Sequence, residues 1–149
     1  MKKLVLIICL LTSLSTAYSQ VKNKLIGKWQ AESAEVTSMY YDSYQFLANG
    51  KFIFEPNAYN GLNRIISING TYKLKGDTIF MTPIFTKEVI GGFLIRSEST
   101  TLSDTWEIVG GQEKKKILNK KIKQSAKIEI DIDGKTFILD ERKFFKIIL

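Results

Sequence analysis

Apolar and polar residues alternate over short stretches of this chain. Phe52 and Phe54 are interleaved with Lys51, Ile53 and Glu55, and Tyr72 and Leu74 with Thr71, Lys73 and Lys75. Ile128, Ile130 and Ile132 are interleaved with Lys127, Glu129 and Asp131. A period of two sends successive side chains to opposite faces, so each stretch has one apolar face and one wetted face. That is the pattern of antiparallel strands around one core. Glycines stand between the stretches, in Asn49-Gly50, Asn60-Gly61, Asn69-Gly70, Gly76-Asp77, Gly91-Gly92, Gly110-Gly111 and Asp133-Gly134. Seven or more short strands with turn signals roughly every ten residues predict an all-β sandwich or barrel with little helix.

Two hairpins can be placed. Tyr44 to Leu47 and Lys51 to Glu55 flank Ala48-Asn49-Gly50, and Ile128 to Ile132 and Lys135 to Leu139 flank Asp133-Gly134. In each, glycine supplies the positive φ that a tight reversal needs. Pro56 and Pro83 are expected just after a strand, where a missing N–H does no harm. Asn69-Gly70 reads either as a turn or as a kink within one long strand. No Ser/Pro-rich linker, long helical stripe or repeat interrupts the pattern, so residues 20–149 are expected to form one domain.

Residues 1–19 have the features of a signal peptide. Lys2 and Lys3 precede an unbroken apolar run from Leu4 to Leu11, and Ala17-Tyr18-Ser19 puts small residues where a signal peptidase reads. The run is shorter than the roughly 20 residues a membrane-spanning helix requires. Cys9 follows Ile8 deep inside it, which excludes a lipid-anchored cysteine at the cleavage site. The expectation is therefore an exported protein, periplasmic or extracellular, that starts near Gln20 and keeps no transmembrane segment. Cleavage would remove the one cysteine and leave twenty basic against fifteen acidic residues. With no disulfide, the core alone must hold the fold. The mild basicity does not by itself point to nucleic acid.

Three motifs in order carry a family resemblance. Leu25-Ile26-Gly27-Lys28-Trp29 is similar to the Gly-x-Trp opening strand of the lipocalin and calycin group. Phe46 to Phe52 and Gly70 to Ile79 resemble the hairpins of small exported bacterial lipocalin-like proteins. The resemblance covers about residues 25–82 and implies a single antiparallel up-and-down β-barrel whose first-strand tryptophan, Trp29, closes one end. It also implies a basic residue from near the last strand over that tryptophan, since a cation packs on an indole face. Arg142 is the first candidate and Lys143 its rival; Arg142 also reads as a solvated turn residue.

The chain has no histidine. After loss of Cys9 it offers no Ser–His or Cys–His nucleophile pair and no imidazole or thiolate metal site. Phosphate-binding glycine loops of the Walker type are absent as well. Ser–Lys and paired-carboxylate chemistry stay formally open, but pairs such as Glu32 with Glu35, or Asp104 with Glu107, read as solvated strand charges. Asp131-Ile132-Asp133-Gly134 lacks the acids of a calcium loop and reads as a hairpin turn. No catalytic residue, metal or cofactor is expected.

Lys114, Lys115, Lys116, Lys120, Lys121, Lys123 and Lys127 form a basic run. It reads as an exposed edge whose lysines block unwanted strand pairing; the functional reading is contact with an anionic surface. Aromatics that could stack nucleic-acid bases are missing from it. Trp29, Tyr44, Phe46, Phe52, Phe54 and Tyr72 share an inward phase and serve either as core or as pocket lining. The candidate ligand-binding set is Tyr44, Phe46, Phe54, Tyr72 and Arg96, the last lying beside the apolar run Phe93-Leu94-Ile95 with neither phase favoured. These residues point to a non-catalytic binding protein for a small apolar or amphipathic molecule. The alternative is a filled barrel that binds a protein or glycan through its surface. A cavity of roughly 300 Å³ or more separates the two.

Overall fold

A computed structural model describes residues 24–34, 41–58, 61–96, 106–120 and 122–147. Residues 1–19, read from sequence as a signal peptide, lie outside them, as do Glu35, Asp104 and Lys121. Eleven strands are present among the described residues: β1 (Gly27–Ala31), β2 (Ser43–Phe46), β3 (Lys51–Glu55), β4 (Ile65–Lys75), β5 (Thr78–Ile90), β6 (Phe93–Arg96), β7 (Trp106–Val109), β8 (Gln112–Ile117), β9 (Gln124–Ile130), β10 (Thr136–Leu139) and β11 (Arg142–Ile147).

Strands β1 to β5 pair in chain order, β9 to β11 do the same, and the two groups meet at β5–β9 and β11–β1. All these pairs are antiparallel, so eight strands close into an all-β barrel and the ring leaves no free edge. The expected hairpins stand where Asn49-Gly50 and Asp133-Gly134 put them, with φ of 77° at Gly50 and 67° at Gly134.

One edge of β5 is shared. Thr78 to Met81 pair with β9, whereas Phe85 to Ile90 pair with β8. Beyond Met81 the strand stays paired with β4 as far as Glu88 but exchanges β9 for β8, and this β4–β5–β8 extension of the wall is the stem of an arm. Gly91-Gly92 and Gly110-Gly111 bend the chain at the end of the stem, and β6 pairs with β7 beyond the bend. The bend needs its glycines: φ is 73° at Gly91, 82° at Gly92 and 75° at Gly110, and a Cβ on Gly111 would stand 2.2 Å from Val89 Cγ1. β7 is tied back to the body by Ile108 N–H donating to Gly61 O at 3.1 Å.

Asn69-Gly70 is a kink and not a turn. It lies inside β4, where the register with β5 shifts between Asn69 and Gly70. Pro83 corrects the expectation from sequence, because it sits within β5, opposite Gly70, and not after a strand. It falls between the residues that pair with β9 and those that pair with β8, beside the register shift, so the missing N–H breaks no regular ladder. The core is the inward phase of the ring. Leu25, Trp29, Ala31, Phe46, Phe52, Tyr72, Leu74, Ile79, Phe137 and Phe144 are buried together.

Candidate functional site

The two ends of the barrel differ. At one end the chain enters from a helical turn at Lys24 and Leu25, and Trp29 is fully buried beneath it. Trp29 Nε1–H donates to Leu25 O at 2.7 Å, and the ring meets Phe137 edge-to-face with centroids 4.8 Å apart. Lys146 Nζ stands 5.0 Å from the indole centroid and donates to Lys24 O at 3.1 Å. Gly27 leaves room for it, since a Cβ there would lie 2.9 Å from Lys146 Cε. The cation over the tryptophan is therefore Lys146, not Arg142 or Lys143. The register explains the correction: Trp29 is paired directly with Lys146, while Arg142 lies four residues earlier on β11, about 13 Å away along the strand. Lys143 has the opposite phase and lies 5.2 Å from the Phe145 ring.

Aromatic rings fill the half above the closed end. Phe46 packs edge-to-face on Tyr72 at 5.0 Å, and Phe137 stacks on Phe144 at 4.8 Å. Tyr72 O–H donates to Leu47 O at 3.0 Å. Of the two readings that the sequence leaves open for Phe46 and Tyr72, core or candidate ligand contact, their burial in the core cluster matches the first.

The opposite end is open. A concavity of about 450 Å³ has apolar walls of Tyr44, Phe54, Met81, Ala126, Leu139 and Phe144, with Gln124, Asp140 and Arg142 at its rim. Tyr44 and Phe54 were legible as inward aromatics. Met81, Gln124 and Ala126 were not, because they come from the β5–β9 junction between segments distant in sequence. Arg142 and Phe144 share the inward phase of β11, and that phase was the signal that could have found them. Arg96 lies on β6, exposed and outside the barrel.

Arg142 organises the rim. Its Nη1 donates to Asp42 Oδ2, and its Nη2 reaches Glu32 Oε1 at 3.1 Å. Asn57 donates to Asp42 Oδ1 from its backbone N–H at 2.8 Å and from its side chain at 3.1 Å. Burial pushes the Asp42 carboxyl up, but the hydrogen bonds from Arg142 and Asn57 and the guanidinium charge outweigh it and hold the group below the ordinary carboxylate value. Burial raises the Tyr44 hydroxyl above its usual value, the nearby Asp42 charge adds to this, and Arg142 opposes it. The mouth therefore presents a neutral phenol and an ion-paired guanidinium at neutral pH.

Backbone strain collects at the same end. Glu32, Asp140 and Glu141 have φ of 67°, 52° and 68°, the left-handed region that non-glycine residues avoid. Asp140 and Glu141 form the two-residue loop between β10 and β11, with Leu139 paired to Arg142. A loop with both central residues at positive φ favours Asn-Gly. Replacing Glu141 with glycine is expected to stabilise the fold by about 0.5–1 kcal/mol, the relieved strain less glycine's extra entropy in the unfolded chain. A higher urea midpoint at unchanged slope would register it; an unchanged midpoint would mean the loop is not strained.

The remaining sequence candidates fall elsewhere. Glu32 belongs to the rim, and Glu107 lies on β7. Asp131 to Gly134 form the β9–β10 turn, with Gly134 N–H donating to Asp131 O at 2.9 Å. Among the described residues no three His, Cys, Asp or Glu side chains are placed to hold a metal ion, and no helix is long and apolar enough to cross a membrane. Lys114, Lys115 and Lys116 lie on β8, an edge strand paired only to β5, and Lys120 and Lys123 follow it, all exposed. Compared with family models, with curated proteins and with solved structures, the chain matches none.

Proposed function

We propose that this chain is a non-catalytic exported protein that holds a small amphipathic molecule in the open half of its barrel. The observation that carries the reading is the half-filled interior. Trp29, Phe46, Tyr72 and Phe137 are buried together at one end, while the other has an open concavity of about 450 Å³ between apolar side chains and the polar rim of Arg142, Gln124 and Asp140. Sites for small molecules are concave and mostly apolar, with a few polar groups that fix orientation. A cavity this shallow suits a short apolar body whose polar end stays at the mouth. The strained residues around the rim support the same placement, because left-handed non-glycine residues persist where a site over-determines them. The Gly27-Lys28-Trp29 resemblance to lipocalin-like proteins and the Lys2 to Ser19 leader pattern support the carrier and exported parts of the reading.

The test is a titration with a fluorescent fatty-acid probe, alongside native mass spectrometry of the purified protein for a carried molecule. Ala126→Phe fills the cavity without removing a core side chain and is expected to abolish probe binding while leaving the unfolding midpoint close to that of the parent. Probe affinity should be flat between about pH 6 and 8, since no histidine is present and no other unperturbed side chain titrates there. A parent protein that binds no probe, or an Ala126→Phe variant that binds as well as the parent, would overturn the reading in favour of a surface-binding module.

A further inference from the structure

The arm presents an unusual surface. Six of the fourteen exposed large apolar side chains among the described residues fall between Ile90 and Val109: Ile90, Phe93, Leu94, Ile95, Trp106 and Val109. Phe93 is 77% exposed and Leu94 60%, in a hairpin that would ordinarily bury one of its faces. Residues opposite each other in an antiparallel pair share a face. Phe93 with Val109 therefore marks one face of the β6–β7 hairpin, and Arg96 with Trp106 marks the other, which Leu94 shares. Each face sets apolar side chains beside one charge, Phe93, Ile95 and Val109 with Glu107 on one and Leu94, Ile108 and Trp106 with Arg96 on the other. A flat protein groove could therefore cover only one of the two apolar sets.

The stem behind this hairpin is basic. β8 carries Lys114, Lys115 and Lys116, β5 carries Lys87 opposite Lys115, and Lys120 and Lys123 follow β8. Glu88 and Glu113 are the acids of the stem strands, and Glu88 sits 3.5 Å from Lys116. Lys115 Nζ lies 4.0 Å from the Phe85 centroid. A second copy docking antiparallel on the β8 edge would bring lysine against lysine, which disfavours self-pairing.

We propose that the arm docks on a bilayer surface rich in anionic phospholipid, with the β6–β7 hairpin entering the interface and the stem lysines facing the headgroups. An apolar end with aromatic residues behind a basic collar is the division of labour that interfacial binding requires: apolar area partitions and cationic side chains meet the negative surface. An end with apolar side chains on both faces suits a medium that can wrap it everywhere but at the β7 edge held by Gly61 O. Arg96 and the stem lysines have long aliphatic stems that let their charges stay at headgroup level. The proposal stands on the arm alone and does not depend on the cavity.

The chain has two tryptophans, and Trp29 is fully buried while Trp106 is 52% exposed, so a change in emission on binding reports the arm. The full chain is titrated with vesicles of phosphatidylcholine and with an equimolar mixture of phosphatidylcholine and phosphatidylglycerol. A blue shift with the mixed vesicles, and none with the neutral ones, is expected. The triple variant Lys114→Gln, Lys115→Gln, Lys116→Gln should bind roughly 100-fold more weakly, about fivefold per lysine. Phe93→Ser with Leu94→Ser should lose the blue shift, with far-ultraviolet circular dichroism confirming that both variants are folded. All three proteins share one amino terminus, so differences among them arise in the arm. An unshifted Trp106, equal response to neutral vesicles, a triple variant that binds like the parent, a serine variant that keeps the shift, or a shift that follows protein concentration without lipid would each overturn the proposal.

Discussion

Replacing Trp29 with alanine is expected to cost about 3–5 kcal/mol of folding stability, the range for a large aromatic removed from a core. The side chain is fully buried, packs on Phe137, and ties Leu25 to the barrel through its indole N–H. Its loss would leave a void beneath the helical turn, a carbonyl without its donor, and Lys146 without the ring it covers. Domains of this size are stable by about 5–15 kcal/mol, so the variant should lie close to unfolding at ambient temperature. Urea unfolding measures the cost. Lys146→Met is the informative companion, because it keeps the aliphatic stem and removes the charge together with its hydrogen bond to Lys24 O; it should cost about 1 kcal/mol. If alanine at position 29 left the midpoint unchanged, Trp29 would not be what closes that end.

Gly70→Ala is the second substitution with a large expected effect, about 3 kcal/mol from overpacking at a site that cannot yield. A Cβ at Gly70 would lie 2.3 Å from Thr82 O, 2.6 Å from Phe52 Cε1 and 2.9 Å from Pro83 Cα. Phe52 could rotate, but the two β5 backbone atoms could retreat only by breaking the longest ladder of the barrel, at its register shift. Gly76→Ala separates the two reasons for glycine. Gly76 has φ of 62° and open space around it, so alanine there meets only the conformational penalty of about 1–2 kcal/mol. Thermal unfolding of the pair should place Gly70→Ala lower. The reverse order would mean that β4 and β5 separate at the kink with little cost.

Local chemistry made the hairpins readable from sequence. Asn49-Gly50 and Asp133-Gly134 announce their turns because glycine takes positive φ freely. The β10–β11 turn carries no such mark, because Asp140-Glu141 adopts that conformation without a glycine. Phase likewise picked out the inward aromatics but carried no depth. Tyr44, Phe46, Phe54 and Tyr72 all face inward, yet Tyr44 and Phe54 line the open cavity while Phe46 and Tyr72 pack below it. The same limit applies to the last strand, where Arg142, Phe144 and Lys146 share a phase but meet different ends of the barrel. The arm was invisible for another reason. Phe93-Leu94-Ile95 is apolar on both phases, a composition that resembles a buried strand, and only the bend at Gly91-Gly92 carries it clear of the core.

The order of strands around the ring bears on how the chain folds. Within β1 to β5 and within β9 to β11, every neighbour is joined by a connection nearby in sequence, so each group can zip up hairpin by hairpin on a timescale of about 1–10 μs per hairpin. The junctions β5–β9 and β11–β1 are different. The first spans the whole arm, the second brings the two ends of the barrel's chain together, and both carry loop-closure entropy that local pairing does not. The β5–β9 junction is also short, running only from Thr78 to Met81 against Gln124 to Lys127. Until both seams form, the two groups are separate curled sheets with exposed edges and an uncovered apolar face, so the rate at which the tube closes also sets how long those edges can pair with the wrong chain.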